Sequence, residues 1–509
     1  MALAAVAAAL FLTFLDNTIV SVALANVQSS LGVGVSGLQW VVDGYMLAFA
    51  ALMLTGGTLG DLFGRKRIML GGLALFAAGS LLGALAPGPG VLIVARVVMG
   101  VGAAASEPGT LSIIRHVYPE RRARARALGV WSAVSGLALA LGPILGGVLV
   151  GGGGWRAVFW FNVGFAVVAF ALALAVVPES SDPEGRHIDW PGLVLGAGSL
   201  AAASVAVIEG ENAGYSAWWI DLLFAGSVLA GIAFVEVESR SRDPLVRIEF
   251  LRRPAFAIAN LVAFATNFAV FAVFFFTALY LQLVAGFSGW QIAVQFIAMA
   301  VAMALAGPLA GRWTARAGPR EPMVVGCLLA GGGMFAVDAL LSPEVPVGAL
   351  SAALAVVGCG FGLALVAMTA SVLALVPPER SGMAASTVNT SRELGGVFGV
   401  AVLGALVNGQ LTSSLVHKLT ALGVPANFRS IVIDAVTHGT AVPPSATAVH
   451  NSAARGHAAL VAKVIDAAEQ AFGDGLHVSL VVAGSVLLAC GAVAQLAPYL
   501  ERRQRRFSP

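Results

Sequence analysis

Charged side chains are scarce in this sequence. Asp, Glu, Lys and Arg together make up 11% of its 509 residues, while 58% are hydrophobic. A soluble domain carries about 25% charged residues, so there is too little polar surface here to coat a water-soluble protein of this length. The net charge of +3 does not indicate a nucleic-acid partner, because the positive side chains lie in loops that flank apolar segments.

Cysteines and nucleotide-binding motifs are equally rare. The three cysteines, Cys327, Cys359 and Cys490, all lie inside apolar runs and are interpreted as packing residues, not as disulfides or metal ligands. No G-x-x-x-x-G-K-[ST] loop occurs, so the chain does not bind ATP in that way. Without a serine-nucleophile turn or a Cys/His cluster, we expect no enzyme activity, no metal and no cofactor, and energy supplied by the proton gradient.

Long apolar runs fill most of the chain. Segments of about 20 apolar residues indicate membrane-spanning helices, and the 61 glycines indicate close helix packing. Residues 1–25 are interpreted as the first span and not as a signal peptide, because they lack a basic stretch and Asp16 interrupts the apolar run. The sequence predicts an all-α membrane protein with fourteen spans, near 2–26, 38–60, 66–86, 91–113, 124–150, 155–178, 190–209, 217–236, 255–284, 288–311, 322–342, 346–376, 383–415 and 475–497.

The positions of the basic residues and an internal repeat predict the topology. With the N-terminus inside, the short cytoplasmic loops and the C-terminal tail hold 22 of the 29 Lys and Arg residues, and the four on the outer side all lie in one long loop, so both termini are predicted to be cytoplasmic. Pro119-Glu120-Arg121 after span 4 recurs as Pro378-Glu379-Arg380 after span 12, which indicates two related halves with the substrate site between them. The predicted units are a six-helix bundle at 1–178, two linker helices at 179–254 and a second six-helix bundle at 255–509.

A long outer loop is predicted at 416–474. We expect it to be solvated, with a short amphipathic helix near 456–472. Five of the seven histidines lie in this loop or just beyond it, but their spacing matches no zinc-ligand pattern.

The turn between spans 2 and 3 carries the most specific motif. It reads GGTLGDLFGRKRIML and contains Gly57, Asp61, Gly64 and Arg65. This pattern resembles the loop between helices 2 and 3 of the major facilitator superfamily, and within that superfamily the chain resembles the fourteen-helix drug:proton antiporters. The resemblance implies two six-helix bundles with two inserted helices. It also implies that Asp61 latches a state closed to the cytoplasm, by accepting from the positive N-terminal end of a helix in the other half.

Two further motifs have structural alternatives. Arg392 and Glu393 stand at the start of span 13, and that helix is either the partner of Asp61 or is simply capped by these residues on the cytoplasmic side. In span 5 a run of small residues resembles the motif associated with antiporters, and the alternative interpretation is a plain helix-packing face. Its members are Gly136, Gly142, Pro143, Gly146 and Gly147.

Two acidic residues lie in the first two spans. Asp16 sits mid-span in LDNTIV, where a carboxylate costs about 2.5–3.5 kcal/mol to insert, so it should face the protein interior. It is interpreted as the proton carrier, as in the family's similar first-helix motif, or as a structural hydrogen-bond acceptor. Asp43 is interpreted as a counter-ion for an organic cation, with Trp40 and Tyr45 supplying aromatic faces, or as a solvated helix end.

Span 4 contains a buried arginine and a buried glutamate. Arg96 cannot lose its proton and must find acceptors, and the resemblance implies that it keeps a nearby carboxylate charged until the transporter changes state. Glu107 lies about three turns further on, on the same helix face. It is interpreted as a second proton site, as a substrate counter-ion, or as a partner of Arg96 or Arg115.

These residues together predict proton-coupled export of hydrophobic or cationic drugs by alternating access. We expect a monomer in the inner (plasma) membrane of a bacterium, with small substrates, protons and lipids as its partners. Two alternatives stay open: export of a lipid, a metabolite or a self-made antibiotic by the same fold, and a membrane sensor that does not transport. Aromatic residues shape the cavity, but the sequence does not fix the facing of Trp131, Phe274, Phe275 and Tyr280.

Overall fold

The computed structural model describes most of the chain. The described residues are 1–32, 35–181, 189–241, 248–287, 289–342, 344–377, 380–422, 424, 429 and 458–507, and all regular structure in these ranges is helical. A five-residue π-helical stretch, Ala272–Phe276, joins α10 to α11 within one continuous rod. The α-helices are α1 (Ala2–Leu31), α2 (Val35–Phe63), α3 (Arg65–Ala84), α4 (Pro89–Val117), α5 (Arg121–Gly153), α6 (Arg156–Val176), α7 (Trp190–Ala213), α8 (Trp218–Arg240), α9 (Ile248–Leu251), α10 (Pro254–Phe271), α11 (Thr277–Leu283), α12 (Gly289–Ala317), α13 (Arg320–Leu340), α14 (Val347–Ala374), α15 (Ser381–Ala421) and α16 (Ala458–Phe507).

Most of these helices suit a membrane. Among the described residues, twelve are long and apolar enough to cross one, and α2 makes thirteen if its two arms, which meet at 50°, count as one span. Helix α5 begins with several arginines, and only Ile144–Gly153 at its far end forms a shorter apolar segment. The prediction of a multi-pass, all-helical membrane protein is confirmed, while the count of fourteen spans stays a prediction.

Two groups of helices pack together around the centre of the molecule. Helices α1 to α6 contact one another and form the first bundle, whereas α10 to α16 form the second. The bundles meet where α5 lies along α12 and where α2 lies along α15. Helices α7 and α8 pair with each other, and α7 lies against α2 and α15.

Glycine allows the bundles to approach each other at backbone distance. A methyl group on Gly129 of α5 would lie 2.7 Å from the carbonyl oxygen of Gly307 in α12, and one on Gly307 would lie 2.6 Å from the carbonyl oxygen of Gly129. Any side chain at either position would therefore separate the two helices. The glycine excess in the sequence is explained by contacts of this kind.

The predicted outer loop is more helical at its ends than the sequence indicated. Helix α15 continues to Ala421, and α16 begins at Ala458 and runs without a break into the last apolar segment. The predicted short helix near 456–472 is therefore the first part of α16, apart from 456 and 457, which lie outside the described residues. Its apolar face explains the difference, because it packs against the end of α15 in a separate buried cluster that contains Leu411, Leu415, Leu419, Val424, Ala467 and Ala471.

Candidate functional site

A buried ion pair occupies the middle of the first bundle. Asp16 of α1 accepts from Arg96 of α4, with 2.5 Å between Oδ2 and Nη1. Asn162 of α6 donates to the other carboxylate oxygen at 2.7 Å. All three side chains are fully buried. Asp16 therefore faces the bundle interior, as expected for an intramembrane carboxylate.

Arg96 is held by more than the carboxylate. Its Nε donates to the backbone oxygen of Val41 at 2.8 Å, and its guanidinium lies 4.4 Å from the centre of the Tyr45 ring. The carboxylate near Arg96 is thus Asp16, and the pair is complete in this state. Each of the two carboxylate oxygens of Asp16 therefore accepts from a different helix of the first bundle.

The surroundings of Asp43 differ from the prediction. Asp43 lies half-buried on α2, but Tyr45, predicted to offer its ring to a cation beside Asp43, is fully buried. Its ring faces Arg96 instead. The aromatic face predicted for the substrate is therefore already occupied by the protein's own cation in this state.

A second buried charge cluster joins the two bundles. Arg392 of α15 donates to Glu107 of α4 at 2.6 Å and to its neighbour Glu393 at 3.3 Å. The partner of Glu107 is therefore Arg392, and not Arg96 or Arg115 as the sequence suggested. Arg392 and Glu393 are not a cap, because α15 begins at Ser381 and places them about three turns inside the helix.

Two aromatic rings complete this cluster. The Arg392 guanidinium lies 4.8 Å from the ring centre of Phe14 and 5.8 Å from that of Trp131. The rings meet edge to face at 6.2 Å, and the Trp131 indole donates to Thr110 at 3.2 Å. Sequence reasoning identified Trp131 as a cavity aromatic but missed Phe14, although Phe14 lies two residues before Asp16.

The Asp61 carboxylate connects the turn of the first bundle to the second bundle. Arg65 donates to it at 2.7 and 2.9 Å. From the first turn of α15, the backbone N–H groups of Gly382 and Met383 donate to it at 3.1 and 3.0 Å. A carboxylate at this position is stabilised by the free N–H groups and the positive end of the helix dipole. A methyl group on Gly57 would lie 2.7 Å from the carbonyl oxygen of Gly382, so α2 and α15 touch here.

Glu179 and Ser180, which follow α6, hydrogen-bond to the start of α3 beside the same turn. Gly64 has a φ angle of +105°, and a methyl group on it would lie 2.8 Å from a carboxylate oxygen of Glu179. Glu179 accepts from the backbone N–H of Lys66 at 3.1 Å, and Ser180 accepts from the backbone N–H of Arg65 at 2.9 Å. Sequence reasoning missed Glu179, whose negative charge is favourable beside the N-terminus of α3.

The bundles are closed on the side of the molecule where Asp61 lies, which we call the Asp61 end. Arg115, at the last turn of α4, donates to the backbone oxygens of Leu373 and Val376 across the interface, the latter at 2.7 Å. Together with the Asp61 contacts, these bonds tie α2 and α4 of the first bundle to α14 and α15 of the second.

The glycines of the predicted antiporter motif face different helices. Gly142 and Gly146 of α5 pack against Thr18 and Ile19 of α1, with no room for a side chain at Gly142. Gly136 faces α12, where a methyl group would lie 2.9 Å from Cγ of Met303. Gly147 is exposed with open space around it, and helix α5 continues through Pro143. The motif therefore packs α5 against α1 of its own bundle and against α12 of the second bundle.

Comparison with known proteins gives the same fold and adds named relatives. Residues 6–400 match the family description "Major Facilitator Superfamily". The chain is 32% identical over 487 residues to the multidrug resistance protein Stp of Mycobacterium tuberculosis, covering 94% of this chain and 88% of that protein. It is 30% identical over 512 residues to the tetracenomycin C resistance and export protein of Streptomyces glaucescens, covering 99% and 92%. The human organic anion transporter MFSD10 superposes with a TM-score of 0.62 at 14% identity, covering 97% of each chain.

Proposed function

The chain belongs to the major facilitator superfamily, and from this premise we propose that it is a proton-coupled exporter of hydrophobic or cationic drugs. Relatives named for multidrug resistance and for antibiotic resistance and export, each similar over most of its length, support this reading. We propose fourteen spans, with α2 and α5 included, both termini in the cytoplasm and a location in the inner (plasma) membrane of a bacterium.

The buried Asp16 carboxylate is the observation that carries the proton coupling. Its two oxygens are held by Arg96 and Asn162 within one bundle, so it loads and releases a proton without crossing the bundle interface. Protonation removes the charge that Arg96 pairs with and frees the guanidinium to move. The exchange of Arg96 for a proton on Asp16 is therefore the proposed coupling step.

The contacts at the Asp61 end support alternating access. With the basic loops in the cytoplasm, the Asp61 end faces the cytoplasm, and this state is closed on that side. Reopening requires Asp61 to leave the first turn of α15 and Arg115 to leave the end of α14. Substrate then enters from the cytoplasm, and the reverse movement releases it outside in exchange for a proton.

Transport by purified protein tests the proposal. Proteoliposomes with an imposed pH gradient should move ethidium against its concentration gradient, and an uncoupler should stop this movement. Asp16→Asn keeps the size of the side chain but removes its titratable group, so we expect it to abolish uphill transport while the protein still folds. Retained gradient-driven transport by Asp16→Asn would remove Asp16 from the mechanism.

A second candidate keeps the fold and changes the cargo. One relative is named for both resistance to and export of tetracenomycin C, which supports export of a single antibiotic as the alternative. A resistance panel in an efflux-deficient host, with and without an uncoupler, separates the two proposals. Protection against many unrelated cations supports multidrug export, whereas protection against one antibiotic supports the dedicated exporter.

A further inference from the structure

The guanidinium of Arg392 lies in a surrounding that suits an organic cation. Two carboxylates, Glu107 and Glu393, accept from it at 2.6 and 3.3 Å. Two aromatic rings, Phe14 and Trp131, face it at 4.8 and 5.8 Å. All five side chains are buried. We call the four surrounding residues the Arg392 seat.

The combination of ligands selects for a particular kind of cation. Aromatic faces together with a carboxylate attract quaternary ammonium groups and flat delocalised cations. Small metal ions instead require several oxygen ligands, which the two rings of the seat do not supply. The guanidinium of arginine is itself flat, delocalised and weakly hydrated, so Arg392 resembles an aromatic drug cation that is tethered to the protein.

The seat is divided unequally between the bundles. Phe14, Glu107 and Trp131 belong to α1, α4 and α5 of the first bundle, whereas Arg392 and Glu393 belong to α15 of the second. Separation of the bundles therefore withdraws the arginine and leaves both rings and one carboxylate together. Oε2 of Glu107 and Nε of Arg392 are buried without a hydrogen-bond partner in the described part of the chain. Arg392 therefore leaves one carboxylate oxygen of the seat without a donor.

We propose that Arg392 is a tethered occupant of the substrate site, and that an organic cation replaces its guanidinium on Phe14, Trp131 and Glu107. This inference rests on the proposed function, since it identifies where the exported cation binds. When the bundles close, Arg392 returns to Glu107 and expels the cation. The protein then never leaves the buried carboxylate without a positive partner.

Removing the tethered cation tests this exchange. While the Arg392 guanidinium occupies the seat, an added cation cannot bind there, so the apparent affinity for that cation falls with the fraction of protein in which the seat is filled. Removing the guanidinium in Arg392→Gln should therefore raise the affinity for ethidium about tenfold or more. Arg392→Lys, which keeps a tethered charge, is the matched control and should stay within about threefold of the wild type. Fluorescence anisotropy of ethidium with the full chain in detergent, at one pH and without a gradient, measures both. Equal or weaker binding by Arg392→Gln would overturn the proposal.

A second pair of variants keeps the proposal testable if Arg392→Gln does not fold. Trp131→Leu removes an aromatic face, whereas Trp131→Phe keeps one. Binding of ethidium should weaken several-fold in the first variant and recover in the second, while binding of the uncharged dye N-phenyl-1-naphthylamine should change in neither. An equal loss for both dyes would show that Trp131 only supports the fold, and the seat would fail as a cation site.

These binding measurements are separate from the transport test. If wild-type proteoliposomes fail to transport ethidium while the variants change its affinity as expected, the proposed export fails but the seat remains a cation site. If transport is driven by the gradient while Arg392→Gln and the Trp131 pair leave ethidium affinity unchanged, the seat alone is refuted.

Discussion

Replacing Asp61 with Asn should open the Asp61 end. The carboxylate accepts from two backbone N–H groups at 3.0 and 3.1 Å across the interface, and such charge-assisted bonds contribute about 1.5–3 kcal/mol each. Asparagine keeps one acceptor oxygen but loses the charge that favours the helix N-terminus. We expect the closed state to lose about 3 kcal/mol, which is a factor of roughly 100 in the equilibrium between closed and open forms.

Distances between spin labels measure this equilibrium. Arg67 of α3 and Arg316 of α12 are exposed and lie near the Asp61 end in different bundles. Each can be replaced by cysteine and spin-labelled once the three native cysteines have been replaced. Asp61→Asn should shift the distance distribution toward longer values. Asp189→Asn is the matched control, because Asp189 accepts from Gly192 within its own helix and does not bridge the bundles. An unchanged distribution in Asp61→Asn would refute the latch and the energy assigned to it.

Three further changes test other contacts. Gly64 has a φ angle of +105° and lies against Glu179, so Gly64→Ala should lower the stability of the folded protein by about 1–3 kcal/mol. A thermal melt in detergent measures this loss. The control Gly71→Ala, at a position with open space around it, should not lower the stability. Gly129→Val should hold α5 away from α12, so the distance between the spin labels at positions 67 and 316 should lengthen. The control Gly152→Ala, also at a position with open space around it, should leave this distance unchanged. An unchanged distance in Gly129→Val would contradict the close packing of α5 on α12. Arg96→Lys keeps the charge but loses the planar guanidinium shared by Asp16 and Val41, so export should fall about tenfold; transport at the wild-type rate would show that charge alone suffices.

Local features of the sequence predicted the all-helical membrane fold, without fixing its number of spans, and the contact of Asp61 with a helix of the other half. The apolar runs predicted the membrane helices because their length and composition are local properties. The turn from Gly56 to Leu70 predicted a carboxylate at a helix end, and Asp61 does lie at the N-terminus of α15. The family was also predicted from such motifs and is confirmed by the match over residues 6–400.

The pairing of Glu107 was beyond sequence reasoning for a physical reason. Helical spacing brings together residues a few turns apart on one helix, so Arg96 and Arg115 were the only partners it offered. The actual partner, Arg392, is 285 residues away and depends on how two bundles dock. Arg392 was placed at the start of span 13, whereas α15 begins at Ser381 and the residues from 386 to 389 before it are already buried helix.

The two buried ion pairs have different relations to the movement of the bundles. Asp16 and Arg96 both belong to the first bundle, so their pair survives a rigid rotation of one bundle against the other. Glu107 and Arg392 belong to different bundles, so a rotation that separates α4 from α15 would break their pair. Helix α1 connects the two, since Phe14 faces Arg392 while Asp16, two residues later, holds Arg96. A change of partner at Asp16 that shifts α1 would therefore move an aromatic face of the Arg392 seat, and this is the route that we propose from proton binding to release of the cation.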